Sequence, residues 1–162
     1  MLANIIDILK GTTVDGPGFR TSIYFAGCRH QCPGCHNPQS WDFNSGMEYP
    51  LDALMEIIME EDFDVTLSGG DPLYQPQAVR ELSRRIREAG HTTWLYTGFT
   101  FEEIIQSPTL LEAVEYIDVI VDSPFIETLK DPDLLFRGSS NQRILDLPLS
   151  LSHFSPIPWH RP

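Results

Sequence analysis

At 162 residues, with 41% hydrophobic and 21% charged residues, the chain has the length and composition of one folded globular domain spanning residues 1–162, which excludes a disordered polypeptide. A formal net charge of -12, from 23 acidic against 11 basic residues, disfavours nucleic acid as a direct partner, because the summed field repels a phosphate backbone. The first residues lack a signal-peptide pattern and no apolar run approaches membrane-spanning length, so a cytoplasmic protein with no membrane partner is expected.

Ile5, Ile6, Ile8 and Leu9 read as a first strand, followed by a loop over residues 11–18 that glycines and Pro17 punctuate. Residues 20–25, rich in β-branched and aromatic side chains, form a second strand that delivers Cys28 just beyond its C-terminal end. In parallel α/β folds that end is where sites are built. Tyr49-Pro50-Leu51 opens a helix with proline in its first turn, and Leu51, Leu54, Met55 and Ile58 recur at helical spacing.

Residues 64–68 read as a strand running into Gly69-Gly70, and residues 75–89 as a helix stopped by Gly90. A strand over 92–96 ends at Thr97-Gly98. Thr100 with Glu103 makes a capping-box pattern for a helix that breaks near Pro108 and resumes to about Tyr116. Residues 117–121 form a nearly continuous apolar strand with Asp122 at its end, residues 143–147 a last strand, and the proline-rich tail from Pro148 has no assigned structure.

This alternation predicts βαβ units and a mainly parallel sheet. A closed eight-unit barrel takes about 250 residues. An open partial (β/α) barrel is therefore the expected fold.

All three cysteines fall in one stretch, Cys28-x3-Cys32-x2-Cys35, with Pro33-Gly34 supplying a tight bend between the last two. Thiolates are the soft ligands of iron-sulfur clusters and of zinc. A fourth cysteine is missing. Three on a 4Fe-4S cluster leave one iron open to a small molecule, while a zinc site completed by His30 or His36 is the alternative. The odd, clustered count points to reduced thiols and away from disulfides.

Asp15-Gly16-Pro17-Gly18-Phe19-Arg20, Phe25-Ala26-Gly27-Cys28 and Cys32-Pro33-Gly34-Cys35-His36-Asn37-Pro38 resemble the opening of the radical S-adenosylmethionine activases of glycyl-radical enzymes. Leu67-Ser68-Gly69-Gly70-Asp71-Pro72-Leu73, Leu95-Tyr96-Thr97-Gly98-Phe99, Asp122-Ser123-Pro124-Phe125 and residues 137–144 continue the likeness in the same order. The resemblance implies a partial barrel of the radical S-adenosylmethionine type. It also implies a 4Fe-4S cluster on Cys28, Cys32 and Cys35, and S-adenosyl-L-methionine on the open iron.

The protein substrate it implies is anaerobic ribonucleoside-triphosphate reductase, with flavodoxin or ferredoxin as electron donor. Another glycyl-radical enzyme such as pyruvate formate-lyase, or a non-enzymatic zinc or iron-sulfur module, is the alternative. Gly34 and His36 flank the third ligand and would lie against the cofactor. Gly69, Gly70 and Asp71 stand where the family contacts the methionine amino group, although a strand-to-helix turn explains them too.

Asp122 suits ribose hydroxyls, the orienting of a neighbour, or a helix cap or turn, and Thr97 a cofactor contact or a turn. The run over 137–143 suits a carboxylate or a peptide backbone, or is an exposed loop. His30, His91, His153 and His160 read as surface residues and Trp94 as core.

Overall fold

Successive residues of a strand face opposite sides of the sheet, and that alternation divides the core of this chain in two. The computed structural model describes residues 1–161 and contains strands β1 (Leu2–Thr12), β2 (Arg20–Phe25), β3 (Met47–Pro50), β4 (Asp64–Gly69), β5 (Thr93–Tyr96), β6 (Val119–Asp122) and β7 (Arg143–Asp146). They form one open sheet in the order β3-β1-β2-β4-β5-β6-β7. The central β2, β4, β5 and β6 run parallel, while β1 and β7 run against them and β3 is antiparallel to β1.

One face carries Ile23, Phe25, Val65, Leu67, Leu95 and Ile120, packed with the buried residues of the helices. These helices are α1 (Leu51–Glu61), α2 (Pro76–Glu88), α3 (Phe101–Gln106) and α4 (Pro108–Ala113). Burial follows the expected spacing, with Leu51, Leu54 and Ile58 inside from α1 and Val79, Leu82 and Ile86 from α2. The Thr100/Glu103 capping box forms, and Ser107 caps α4 where Pro108 interrupts the run. The opposite face is aromatic and polar. Trp94, Val119 and Val121 pack there against Tyr96, Phe136, Ile144 and Trp159.

Three expectations change. Pro50 does not sit in the first turn of α1; it is the N-cap, with ψ 141°, and the last residue of β3, paired with Leu2. An edge strand tolerates a proline, and Met47–Pro50 becomes a strand only because β1 lies beside it. The tail from Pro148 is ordered. Helix α5 (Leu147–His153) is capped by the Asp146 side chain, after which the Trp159 N–H donates to the Ile144 carbonyl and the Trp159 ring meets Trp94 at 4.9 Å. His91 is not free on the surface, because its ring lies 3.1 Å from an Asp62 oxygen and 3.5 Å from an Asp64 oxygen.

Arg20 is the unusual member of the second face, a guanidinium only 1% exposed. It donates to the Thr66 hydroxyl (2.8 Å), the Val65 carbonyl (2.8 Å) and the Pro17 carbonyl (3.1 Å), and lies over the Trp94 ring. Thr66 in turn donates to the Asp15 carbonyl at 2.8 Å, so the pair anchors the 15–18 loop on the sheet. Burial pushes the guanidinium pKa down, opposed first by Asp64.

Arg20→Ala removes these donors and leaves a cavity, and is expected to cost about 3 kcal/mol or more in urea unfolding. A loss near zero would show that the loop holds itself. On α2, Arg84 and Arg85 hold the Glu81 carboxyl down to about 2. Because the folded value is depressed, that contribution is present above the ordinary pKa of 4.5 and lost as pH falls toward about 2. Glu81→Gln should flatten the acid limb of the urea-midpoint profile.

Candidate metal centre

The path of β2 fixes the first cysteine. Beyond its end the Gly27 N–H donates to the Ser40 carbonyl (2.8 Å) and the Cys28 N–H to the Trp41 carbonyl (3.3 Å), strapping the Pro38–Trp41 turn across the strand and leaving Cys28 buried. The next two cysteines are set by a turn. The Cys35 N–H donates to the Cys32 carbonyl at 3.1 Å and Gly34 takes φ +76°, the conformation glycine adopts at the third position of a type II turn after proline.

Cys28, Cys32 and Cys35 are free thiols that line one cavity of about 390 Å³. Its floor is the second face of the sheet at the C-terminal ends of the parallel strands. Tyr24 and Ser68 lie side by side there in register, as do Tyr96 and Val121. His36 stands edge-on to Phe125, at 5.3 Å, in the same lining.

The thiols sit in an environment made for a cation. Burial pushes Cys28 up to about 11 while the amides of His30 and Gln31 oppose it; Cys32 is raised by burial too, against the Phe125 amide. The Asn37 N–H donates to the Cys35 sulfur at 3.4 Å. Burial outweighs these amides at Cys28 and Cys32 and favours the neutral thiols, and a metal group would supply the positive charge that lets them ionise.

The Trp41 indole N–H is buried in the same lining with no acceptor among the described residues. An orphaned donor beside three sulfurs fits a sulfide-bearing group. No three His, Cys, Asp or Glu side chains among the described residues converge closely enough for a single ion.

His30 is the largest correction. Expected on the surface, its ring is wedged 4.6 Å from Phe99 and 5.5 Å from Tyr74, with Nε2 at 2.7 Å from Asp71 Oδ2. Asp71 is 0% exposed and does not line the cavity. Oδ2 also accepts from the Thr97 hydroxyl (2.8 Å) and the Gly98 N–H (2.9 Å), and Oδ1 from the Leu73 N–H (3.0 Å). These hydrogen bonds tie the cysteine loop to the ends of β4 and β5 through the Asp71 carboxylate.

Gly69 and Gly70 line the cavity, but their first requirement is internal. A Cβ on Gly69, at φ +118°, would stand 2.3 Å from the Phe25 nitrogen, and one on Gly70 2.6 Å from the Gly27 carbonyl oxygen. Their backbones approach the cysteine-bearing segment as well as the space above it.

Thr97 and His36 line the cavity and Gly34 does not. Asp122 lies below it, fully buried, accepting from the Phe101 N–H (2.8 Å) and from Arg143 Nη2 (2.6 Å) and Nε (3.1 Å). The Phe101 N–H is the first of helix α3, so Asp122 serves a helix N-terminus as well as orienting Arg143. Sequence reading missed Tyr24, whose hydroxyl donates to Asp15, and Tyr96, which donates to the Phe136 carbonyl at 2.8 Å. Their signal was the alternation itself, since both occupy positions on the face away from the helices.

The comparisons agree with this architecture. The family described as a 4Fe-4S single cluster domain matches residues 14–145 and supports an iron-sulfur cluster. The anaerobic ribonucleoside-triphosphate reductase-activating protein of Escherichia coli K12 is 40% identical over 142 residues, covering 80% of this chain and 89% of that one. Its namesake in Vibrio cholerae is 38% identical over 141 residues (81% and 90%), and that of Enterobacteria phage T4 36% over 140 residues (81% and 86%). With identity and coverage of this order, the chain belongs to the family of anaerobic ribonucleoside-triphosphate reductase-activating proteins.

Proposed function

We propose that the protein is a radical S-adenosylmethionine activase of the partial-barrel type, acting in the cytoplasm on anaerobic ribonucleoside-triphosphate reductase with electrons from a flavodoxin or ferredoxin. The observation that carries this reading is the donor set: three thiols around one open cavity, in a chain with no fourth cysteine. A 4Fe-4S cluster, when bound, supplies one electron that cleaves S-adenosyl-L-methionine to methionine and a 5'-deoxyadenosyl radical, which takes a hydrogen atom from a glycine Cα of the reductase.

Every other task falls to the polypeptide. Cys28, Cys32 and Cys35 would hold the cluster, and with no fourth thiol in the chain the cofactor would have a place on it. Gly69, Gly70, Thr97, His36 and Phe125 line the cavity and would give the cofactor a wall of backbone, hydroxyl and aromatic groups. Asp71 acts as a positioning residue, holding His30, Thr97 and Gly98 in place. The burial around Cys28 excludes water, and the open side admits a polypeptide, so that one C–H among many is brought within reach.

Single Cys28→Ala, Cys32→Ala or Cys35→Ala variants are expected to lose cluster iron and deoxyadenosine formation while keeping a wild-type far-ultraviolet dichroism spectrum, because the loop lies outside the hydrophobic core. Asp71→Asn should keep iron and sulfide content but weaken S-adenosyl-L-methionine binding, by about tenfold for the loss of one or two charged hydrogen bonds. Unchanged affinity would show that the carboxylate serves the fold alone. The test of the whole reading is anaerobic incubation with reductant, S-adenosyl-L-methionine and the reductase, followed by electron paramagnetic resonance. A zinc-only protein, or no glycyl radical from a cluster-loaded sample, would sink it.

A further inference from the structure

A second pocket of about 450 Å³ lies beside the cysteine cavity, and Gln142 lines both. Its lining includes Arg137, Ser140, Ile144, Pro156, Pro158 and Trp159. The segment that builds it is nearly self-satisfied. Gln142 Oε1 accepts from the Gly138 and Ser139 amides, its Nε2 donates to the Ser123 carbonyl, Asn141 donates to the Pro124 carbonyl, and Ser139 donates to Asn141. Arg143 is taken by Asp122 and Glu102.

Arg137 is left over. Its guanidinium has one acceptor, the Gln142 carbonyl at 3.1 Å, with no carboxylate in ion-pair range among the described residues and a buried Nε that finds no partner. Arg20 also lacks a carboxylate but has three acceptors, whereas half-buried Arg137 has one among the described residues, in a chain of net charge -12.

We propose that this pocket docks an acidic side chain of the polypeptide whose glycine enters the cysteine cavity, an inference that rests on the activase reading. A guanidinium offers a carboxylate a planar fork. The walls around it, Ile144, Pro156, Pro158 and Trp159, suit the apolar flank of a peptide. A phosphate would ask for several converging donors, and of the two guanidinium groups lining this pocket Arg143 is already held by Asp122 and Glu102, which leaves Arg137 and the exposed Ser140 hydroxyl. Continuity through Gln142 lets a single extended segment occupy both places, so the contact fixes the register of the target glycine.

The test measures binding of the full-length activase to the full-length reductase, anaerobically, from about 50 to about 500 mM sodium chloride. Arg137→Ala should weaken the complex about tenfold or more and flatten its salt dependence, while Arg137→Lys keeps part of the affinity. Ser140→Glu places a negative charge at an exposed lining position and should weaken binding as well; it decides the matter if Arg137→Ala does not fold.

Wild-type affinity in Ser140→Glu and the folded Arg137 variants overturns the proposal. So does a phosphate-binding heat that Arg137→Ala abolishes while reductase affinity stays constant, since that marks a small-anion pocket. Iron, sulfide and deoxyadenosine yield of the wild type in the same preparation report the parent reading separately. Their failure alongside Arg137-dependent docking would remove the radical chemistry and leave the docking site standing.

Discussion

The buried carboxylate of Asp71 joins parts of the chain that the sequence keeps far apart. It receives His30 from the cysteine loop, Thr97 and Gly98 from the end of β5, and Leu73 from the turn that follows β4. A carboxylate removed from water must be matched by donors, and here the matching groups are the ones that shape the cavity. The hydrogen bonds that make its burial tolerable thereby fix where the cysteine loop lies against the strand ends.

Around that point the two faces of the sheet divide the work. The helix-covered face supplies the apolar burial that drives folding, with residues such as Phe25, Leu67 and Ile120 fully enclosed. The other face carries Arg20, Tyr24, Thr66 and Tyr96, polar or amphipathic groups whose bonds reach across to the 15–18 loop and to Phe136. Period-two alternation along the same strands therefore produces the core and the site together. The glycines at 69 and 70 mark where the last strand residues pass beneath the cysteine segment too closely for a side chain.

Much of this was legible in the chain itself. Helical spacing located α1 and α2, and the Thr100/Glu103 and Ser107-Pro108 signals located α3 and α4, because those cues are local. The Pro33-Gly34 turn was legible for the same reason. What escaped were elements defined by distant partners. Strand β3 exists through its pairing with β1, and helix α5 is only seven residues long and is fixed by the return of Ile157 and Trp159 against β7. His30 and His91 looked free because their carboxylate partners lie elsewhere in the sequence or across a helix end.

The sequence by itself determined the ligand chemistry, since three cysteines within eight residues and a Pro-Gly bend need no distant partner to declare soft-metal binding. It also determined the alternation of strands and helices, which is encoded in local periodicity. Only the tertiary structure decided which carboxylates face the cavity and which lie beneath it. Burial and hydrogen-bond completion depend on neighbours many residues away, so Asp71 and Asp122 are enclosed and matched by donors while Arg137 has no carboxylate in ion-pair range among the described residues.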